Sequence, residues 1–230
     1  MFNRSILLAF ILLFQAGLSH AGSGLDIYVV RHAQTVANAS GVKDKRSDST
    51  FSDEGRAQVD TLTRELLNYR FDAVLVSPTE RTLNTIHPYL QQGKTVGIVW
   101  PELTECCWQQ DRGAGEAGQL VTGSVLQLEP EIAPQFSFRD SSSAFKYANR
   151  NYADGVAQVR QAVSLLKSRY SDSGKTILIV THYHAGAVLL GELLGVSRDS
   201  LPGLENARLT HLRQEKDGRF TLLTINGKPY

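Results

Sequence analysis

The most constraining stretch of this chain is a short apolar run that ends abruptly at an arginine and a histidine. Residues Leu25 to Val30 are rich in β-branched side chains and mostly apolar, a pattern typical of a buried strand in a parallel sheet. Arg31 and His32 follow at its carboxyl end, which is where ligands bind in open α/β sheets. An arginine fork pairs with two oxygens of an anion, and a neutral imidazole is a nucleophile near pH 7. The stretch therefore predicts a site for phosphate chemistry.

Three later apolar runs also end at polar side chains suited to such a site. The second run predicts a strand capped by Ser77, with Pro78 in the first turn of a following helix and Arg81 just inside it. The third should end at Pro101, which cannot donate to a strand ladder, and release Glu105 in a loop. The runs cover 74–76, 96–100 and 177–181, and the last leads directly into His182.

Five segments in this order resemble the histidine phosphatase superfamily, the branch that includes phosphoglycerate mutases and many small phosphatases. The family's Arg-His-Gly-Glu-Thr motif, with an asparagine six residues after the histidine, is matched by Arg31, His32, Thr35 and Asn38, whereas Ala33 and Gln34 depart from it. The other four segments keep the family spacing: Phe51–Gln58, Ser77–Thr85, Leu103-Thr104-Glu105 and Thr181-His182. In the last of these, the family's two glycines after the histidine are replaced by Tyr183 and His184.

The resemblance implies a phosphomonoester hydrolase that works through a phosphohistidine on His32. Glu105 is then the general acid and base, although Glu102, three residues earlier, is an alternative. The groups expected to bind the phosphate of a small-molecule phosphomonoester are Arg31, Asn38, Arg81 and His182. No metal or other cofactor is expected, and the sequence does not name the substrate or the oligomeric state.

Two rival functions, and one variant of the phosphatase function, are open at this point. A metallohydrolase is suggested by the His-x-His pair His182 and His184, with His32 as a third ligand. Against it, no carboxylate-rich motif accompanies the pair, and the two arginines would repel a divalent cation. A non-catalytic phosphate-binding protein is suggested by Ala33 and Gln34. A mutase, which returns the phosphoryl group to a second hydroxyl, could use the same residues.

The periodicity predicts an α/β fold: a three-layer α/β/α sandwich with a mainly parallel central sheet. Ser52 should start a helix, and Pro88 should kink or end the next helix near His87, which we interpret as structural. A long amphipathic helix is expected around Val156–Leu166, another helix from about Ala185 to Leu194, and a final hairpin at Asp217-Gly218. Asn206, before the hairpin, resembles a recurrent family position, and we assign it only a structural role.

An insertion at about 106–151 interrupts this pattern, and the family resemblance implies that it covers the pocket and selects the substrate. Its scattered aromatic residues could contact a leaving group or form a small satellite core. It begins with Cys106 and Cys107, the only cysteines. A bridge between adjacent cysteines would be strained, so buried free thiols are the default, with a strained ring or an intermolecular link as alternatives.

The first 21 residues predict a signal peptide, followed by a single domain at 22–230. Arg4 supplies the positive end, Ile6 to Phe14 the apolar core, and Ser19-His20-Ala21 a cleavage site. The alternative is an uncleaved anchor. We expect export to the periplasm or outside, with no stable membrane insertion. Removing Arg4 leaves 23 basic residues against 23 acidic ones, a balance that gives no reason to propose a nucleic-acid partner.

Overall fold

The computed structural model describes residues 24–42, 44–108 and 118–230, and an eight-stranded sheet forms the centre of this part of the chain. In chain order the strands are β1 (Asp26–Arg31), β2 (Ala73–Val76), β3 (Gly97–Val99), β4 (Thr122–Val125), β5 (Phe136–Phe138), β6 (Phe145–Tyr147), β7 (Thr176–Thr181), β8 (Leu209–Gln214), β9 (Phe220–Ile225) and β10 (Lys228–Pro229). The helices are α1 (Val36–Ser40), α2 (Lys45–Ser49), α3 (Asp53–Leu66), α4 (Glu80–Gly93), α5 (Tyr152–Tyr170) and α6 (Tyr183–Leu194).

The strand order β10-β9-β8-β1-β7-β2-β3-β5 makes the sheet mainly parallel. Strands β1, β7, β2, β3 and β5 run in the same direction, and β8, β9 and β10 add an antiparallel edge. In the central pair, Arg31 lies opposite Thr181. The residues that follow these two, His32 and His182, therefore leave the sheet side by side at its carboxyl edge.

Helices cover both faces of the sheet and give the predicted three layers. One buried cluster includes Val163 of α5 and Leu190 of α6, and the other includes Leu62 of α3 and Ile86 of α4. Strand residues contribute to both clusters, since successive side chains point to opposite faces. The central strands are therefore apolar on both faces, which explains their continuous hydrophobic runs.

The local signals for helix α3 and for the hairpin are confirmed. The Ser52 side chain accepts a hydrogen bond from the Gly55 N–H and caps α3. Strands β8 and β9 form the hairpin, with Gly218 at φ +82° in its turn. Helix α6 ends at Gly195, as predicted, but starts two residues before the predicted Ala185.

At helix α4, the predicted end near His87 and the predicted Ser77 cap are wrong, whereas a kink at Pro88 stays a prediction. The helix continues through Pro88 to Gly93, because Ile86 and Leu90 on either side are fully buried in the core, and this packing offsets the roughly 3 kcal/mol cost of an internal proline. Ser77 does not cap the helix either, since Thr79 is its N-cap residue. The Ser77 hydroxyl is instead directed to His182, as described below.

The insertion extends the central sheet, which periodicity did not predict. Strand β5 pairs in parallel with β3 at the edge of the sheet, whereas β4 and β6 form a separate antiparallel pair. Arg139 links the insertion to the loop after β3 through a bidentate ion pair with Glu102, with both N–O distances 3.0 Å. Leu126, Ile132 and Phe136 of the insertion are buried, but they belong to the main cluster that contains Leu62 and Ile86 and do not form a separate satellite core.

Cys106 and Cys107 are free and fully buried, which confirms the default prediction for this pair. Cys107 adopts a left-handed backbone conformation with φ +66°. Gly155 of α5 packs directly against both thiol residues: a Cβ there would lie 2.8 Å from Cys107 Sγ and 2.9 Å from Cys106 Cβ.

The predicted signal peptide lies outside the described residues, and export stays a prediction. Within the part of the chain that the structure describes, no helix is long and apolar enough to cross a membrane.

Candidate active site

A cavity of about 830 Å³ opens at the carboxyl ends of the parallel strands, where the sequence predicted a site. The predicted site residues that line it are Arg31, His32, Asn38, Arg81 and Glu105. His182 lies directly behind them, fully buried, with its ring edge against His32 at a centroid distance of 5.3 Å. The structure thus brings all six residues together.

His32 is held with one ring nitrogen directed into the protein. Its backbone N–H donates to Thr181 O at 3.0 Å, and Nδ1 lies 2.8 Å from Ala33 O. A carbonyl can only accept, so Nδ1 carries the proton and Nε2 keeps its lone pair. Burial, aided by the charges of Arg81 and Arg31, lowers the pKa of His32 to about 3. The imidazole is therefore neutral at pH 7, and Nε2 is unprotonated.

Asn206 supports His32 from the backbone side. Its Nδ2 donates to His32 O at 2.7 Å and lies 3.4 Å from Asn38 Oδ1. Asn38 also closes a capping box with Thr35 at the start of α1. These contacts agree with the structural role predicted for Asn206.

His182 uses both ring nitrogens for contacts within the protein. Arg81 Nε donates to Nδ1 at 3.2 Å, so Nε2 carries the proton and donates to Ser77 Oγ at 2.8 Å. Burial and the nearby charges of Arg81, His32 and Arg31 hold the pKa of His182 well below its usual value. In this arrangement a neutral His182 orients Arg81, and direct contact of His182 with a phosphate oxygen stays a prediction.

The two guanidinium groups are held by contacts with neighbouring protein groups. Arg31 Nη1 donates to Leu204 O at 3.0 Å, and the guanidinium carbon lies 5.0 Å from the centroid of the Tyr183 ring. Its Nε is buried and has no hydrogen-bond partner among the described residues. Arg81 forms an ion pair with Asp48 of α2. A buried N–H without a partner is costly, so the Arg31 Nε is suited to an anionic ligand.

Glu105 lies beside the amino terminus of helix α6. Its Oε1 accepts hydrogen bonds from the Ala185 N–H at 2.9 Å and the Cys106 N–H at 3.2 Å. Burial raises the pKa of Glu105, and those two bonds and the charges of Arg81 and Arg31 oppose the rise. A carboxyl group with a raised pKa can both donate and accept a proton near neutral pH.

Glu102 is not placed at the cavity. It is 2 % exposed, pairs with both terminal nitrogens of Arg139, and accepts a hydrogen bond from the Tyr147 hydroxyl at 3.2 Å. With its carboxylate satisfied in this way, Glu102 holds the insertion. The geometry therefore favours Glu105 over Glu102 as the acid.

The two departures from the family motif make structural contacts. The Ala33 N–H donates to Thr85 Oγ1 at 2.9 Å, and Gln34 Oε1 accepts from Ser52 Oγ at 2.8 Å. At Gly55 a Cβ would come within 1.9 Å of Gln34 O, so the helix needs a glycine there to approach this loop. Ala33 thus joins the first loop to α4 and Gln34 joins it to the start of α3.

The arrangement gives no support to the metallohydrolase hypothesis. Among the residues that the structure describes, no group of three or more His, Cys, Asp or Glu side chains could hold a metal ion. His182 lacks a free nitrogen because both are bonded to Ser77 and Arg81. His184 lies on the cavity wall, where Nδ1 is 3.5 Å from Arg198 Nη2.

Sequence reasoning missed several residues at the site. Ser77 was in a recognised motif but was interpreted as a helix cap. Asp48 carries no motif, because its pairing with Arg81 depends on how α2 packs. Trp108 was only one of several scattered aromatic residues, yet it lines the cavity.

Comparisons with known proteins identify the family that the motifs resemble. The sequence profile of the histidine phosphatase superfamily (branch 1) matches residues 27–227. The chain is 32 % identical over 215 residues to the adenosylcobalamin/alpha-ribazole phosphatase of Salmonella typhimurium, covering 89 % of this chain and 97 % of that protein.

Solved structures show the same fold at lower sequence identity. The alpha-ribazole phosphatase of Shigella flexneri has a TM-score of 0.61 at 17 % identity, over 88 % of this chain and 96 % of that one. A mycobacterial glucosyl-3-phosphoglycerate phosphatase in complex with VO3 has a TM-score of 0.59 at 19 % identity, over 86 % and 97 % of the two chains.

Proposed function

Because this chain belongs to branch 1 of the histidine phosphatase superfamily, we propose that it hydrolyses phosphate monoesters through a phosphohistidine on His32. The observation that carries the proposal is the state of His32: a neutral imidazole with Nδ1 bonded to Ala33 O and the Nε2 lone pair left for attack. The named relatives are phosphatases of different organic phosphates, which supports the reaction class but not one substrate.

In the first step, the Nε2 lone pair attacks phosphorus and the bond from phosphorus to the ester oxygen breaks. Protonated Glu105 gives its proton to the departing oxygen, so the alcohol leaves neutral. Arg31 and Arg81 neutralise the charge on the remaining oxygens, with Asn38 as a neutral donor. The raised pKa of Glu105 supports this use of its acid form.

In the second step, water attacks the phosphohistidine. The Glu105 carboxylate accepts the water proton, the bond between phosphorus and Nε2 breaks, and His32 is restored with inorganic phosphate as product. The two arginines supply the positive charge in both steps, so the route uses no metal. A mutase would differ only in the acceptor, a second hydroxyl in place of water.

A phosphate-release screen tests the proposal directly. The mature protein is assayed against a broad panel of phosphomonoesters, with His32→Ala as the test variant and His87→Ala as the matched control. His87 bonds to Gln135 Oε1 at 3.2 Å and does not line the cavity. We expect release by wild type and His87→Ala and none by His32→Ala. Equal release by all three would refute catalysis by His32, and binding without release would favour the phosphate-binding alternative.

Chelation separates the metal-dependent rival. Activity should survive exhaustive chelation, because arginines neutralise the phosphoryl charge. Loss of activity that only zinc or manganese restores would reject the proposed route.

We also propose that the chain is exported, on the basis of its first 21 residues. N-terminal sequencing of protein from the periplasm or medium should begin at Gly22. A sequence beginning at Met1 on membrane-associated protein would show an anchor instead.

A further inference from the structure

The cavity is much larger than a phosphoryl group needs. Its volume of about 830 Å³ falls within the ~300–1,000 Å³ typical of pockets that enclose a whole organic ligand. Arg31, Arg81 and His32 bind and attack the phosphoryl group in the proposed mechanism, so the rest of the space must hold the leaving group. What lines that space therefore indicates the substrate class.

The leaving group must lie on the side of Glu105, since this carboxyl protonates the ester oxygen in the proposed mechanism. Trp108 and His184 line the cavity on that side. Trp108 is three residues after Glu105, and His184 precedes Ala185, whose N–H binds the Glu105 carboxylate. These two rings therefore flank the leaving group and not the phosphate.

The Trp108 indole is available to a ligand, because 52 % of its surface is exposed. Tyr183, the third aromatic residue of this wall, is not available in the same way. One face of its ring is covered by the Arg31 guanidinium, and His184 packs edge-on against it at a centroid distance of 5.0 Å and an angle of 84°. A stacking ligand would therefore use Trp108.

One largely buried arginine fixes this wall before any ligand binds. Arg198, with 14 % of its side chain exposed, donates through Nη1 to Cys107 O at 2.9 Å and reaches His184 Nδ1 through Nη2 at 3.5 Å. The first contact holds the left-handed residue that directs the chain into Trp108, and the second holds the neighbouring ring. A wall ordered in advance lowers the entropy cost of binding.

Another part of the cavity lining is polar. It comes from helix α2 and its N-cap residue Asp44, with Lys45 and Asp48 among the lining side chains. Such groups suit the hydroxyls of a sugar, whereas an exposed indole suits the face of a planar ring.

We propose that the leaving group is a planar heteroaromatic ring joined to the phosphate through a sugar, as in a nucleoside 5′-monophosphate, and that the ring stacks on Trp108 beside His184. This inference rests on the proposed phosphatase function. It assigns Trp108 and His184 to substrate selection, and it accounts for a histidine where the family has a glycine.

The test compares two substrates that share the same sugar and the same ester bond. A purine nucleoside 5′-monophosphate and ribose 5-phosphate differ only in the base, so the ratio of their kcat/KM values measures the base subsite. We expect wild type to prefer the nucleotide. Trp108→Ala should lower that ratio by about 5- to 100-fold, the range for loss of one base–aromatic stack, whereas Trp108→Phe should keep most of it. His184→Gly should also lower the ratio.

Tyr230→Ala is the matched control, because this aromatic residue is 64 % exposed and does not line the cavity; its ratio should equal that of wild type. A wild-type ratio near one, or an unchanged ratio in Trp108→Ala, would overturn the inference. So would an equal dependence on Trp108 for glucose 6-phosphate, which would indicate a sugar subsite. If wild type forms no phosphohistidine from any substrate, the proposed function itself fails.

Discussion

The sharpest test of the proposed chemistry is Glu105→Gln, because the structure allows the proton to be removed with little other change. Glu105 Oε1 accepts both backbone N–H bonds, at 2.9 and 3.2 Å, and a glutamine oxygen can accept the same two bonds. The variant loses a titratable proton at the other oxygen. It also removes a carboxyl group whose charged form is penalised by burial, so we expect no loss of stability.

The magnitude follows from how much the leaving group needs that proton. Alkyl oxides leave poorly without protonation, so phosphorylation of His32 from an alkyl phosphate should fall by roughly 10²–10⁴-fold, the usual contribution of general acid catalysis. An activated aryl oxide needs no proton, and its rate should change much less. Rapid-quench measurement of phosphohistidine isolates this step from later hydrolysis.

Glu102→Gln is the matched control for this experiment. It disrupts the buried bidentate pair with Arg139, so we expect a loss of about 3–5 kcal/mol of stability and no leaving-group dependence. Equal losses on alkyl and aryl phosphates in Glu105→Gln would refute the general-acid role. The leaving-group pattern in Glu102→Gln instead would move the acid to that residue.

Three further predictions concern the support of the site. Ser77→Ala should cost about 1–3 kcal/mol in the free energy of unfolding, measured by chemical denaturation, because the His182 Nε2–H loses its 2.8 Å partner inside the protein. The free energy of unfolding should also fall as pH drops from 6.5 towards about 3, since the unfolded chain protonates His32 in this window and the folded chain does not. Denaturation curves at several pH values measure how steeply the free energy of unfolding depends on pH. His32→Gln should reduce this dependence by on the order of 1 kcal/mol per pH unit. Gly155→Ala should lower the thermal midpoint, at a cost of about 1–3 kcal/mol, because the new methyl group would lie 2.8 Å from Cys107 Sγ.

Residues next to the strands were predictable because the strand signal also fixes their place. A buried apolar run that ends at Arg31-His32 can present those side chains only at the carboxyl edge of a parallel sheet, and the same holds for His182 after β7. The spacing of the family motifs then assigned Arg81, Asn38 and Glu105 to the same site. These predictions depended on short-range patterns, and all six residues line the cavity or contact its lining.

Contacts between distant segments were not predictable. The pairing of Asp48 with Arg81 and the contact of Arg198 with Cys107 join residues far apart in the chain, and neither pair has a sequence signature. The strand β5 was missed because three residues are too few to show a period. Pro88 does not end helix α4, because packing of the buried residues on both sides of it outweighs the local rule.

The two sides of the site should differ in the free energy needed to open them locally, because the histidines follow the paired strands β1 and β7 and the wall includes the short helix α2. His32 and His182 extend from paired central strands whose amides can open only with most of the core, so hydrogen exchange at Val30 and Val180 should report the global free energy of unfolding. Helix α2, which has five residues and only one buried side chain, should exchange through low-energy local openings. We therefore expect the reacting nitrogen to stay in place while helix α2 opens locally, so that a bulky phosphate ester can enter or leave without disturbing the nucleophile.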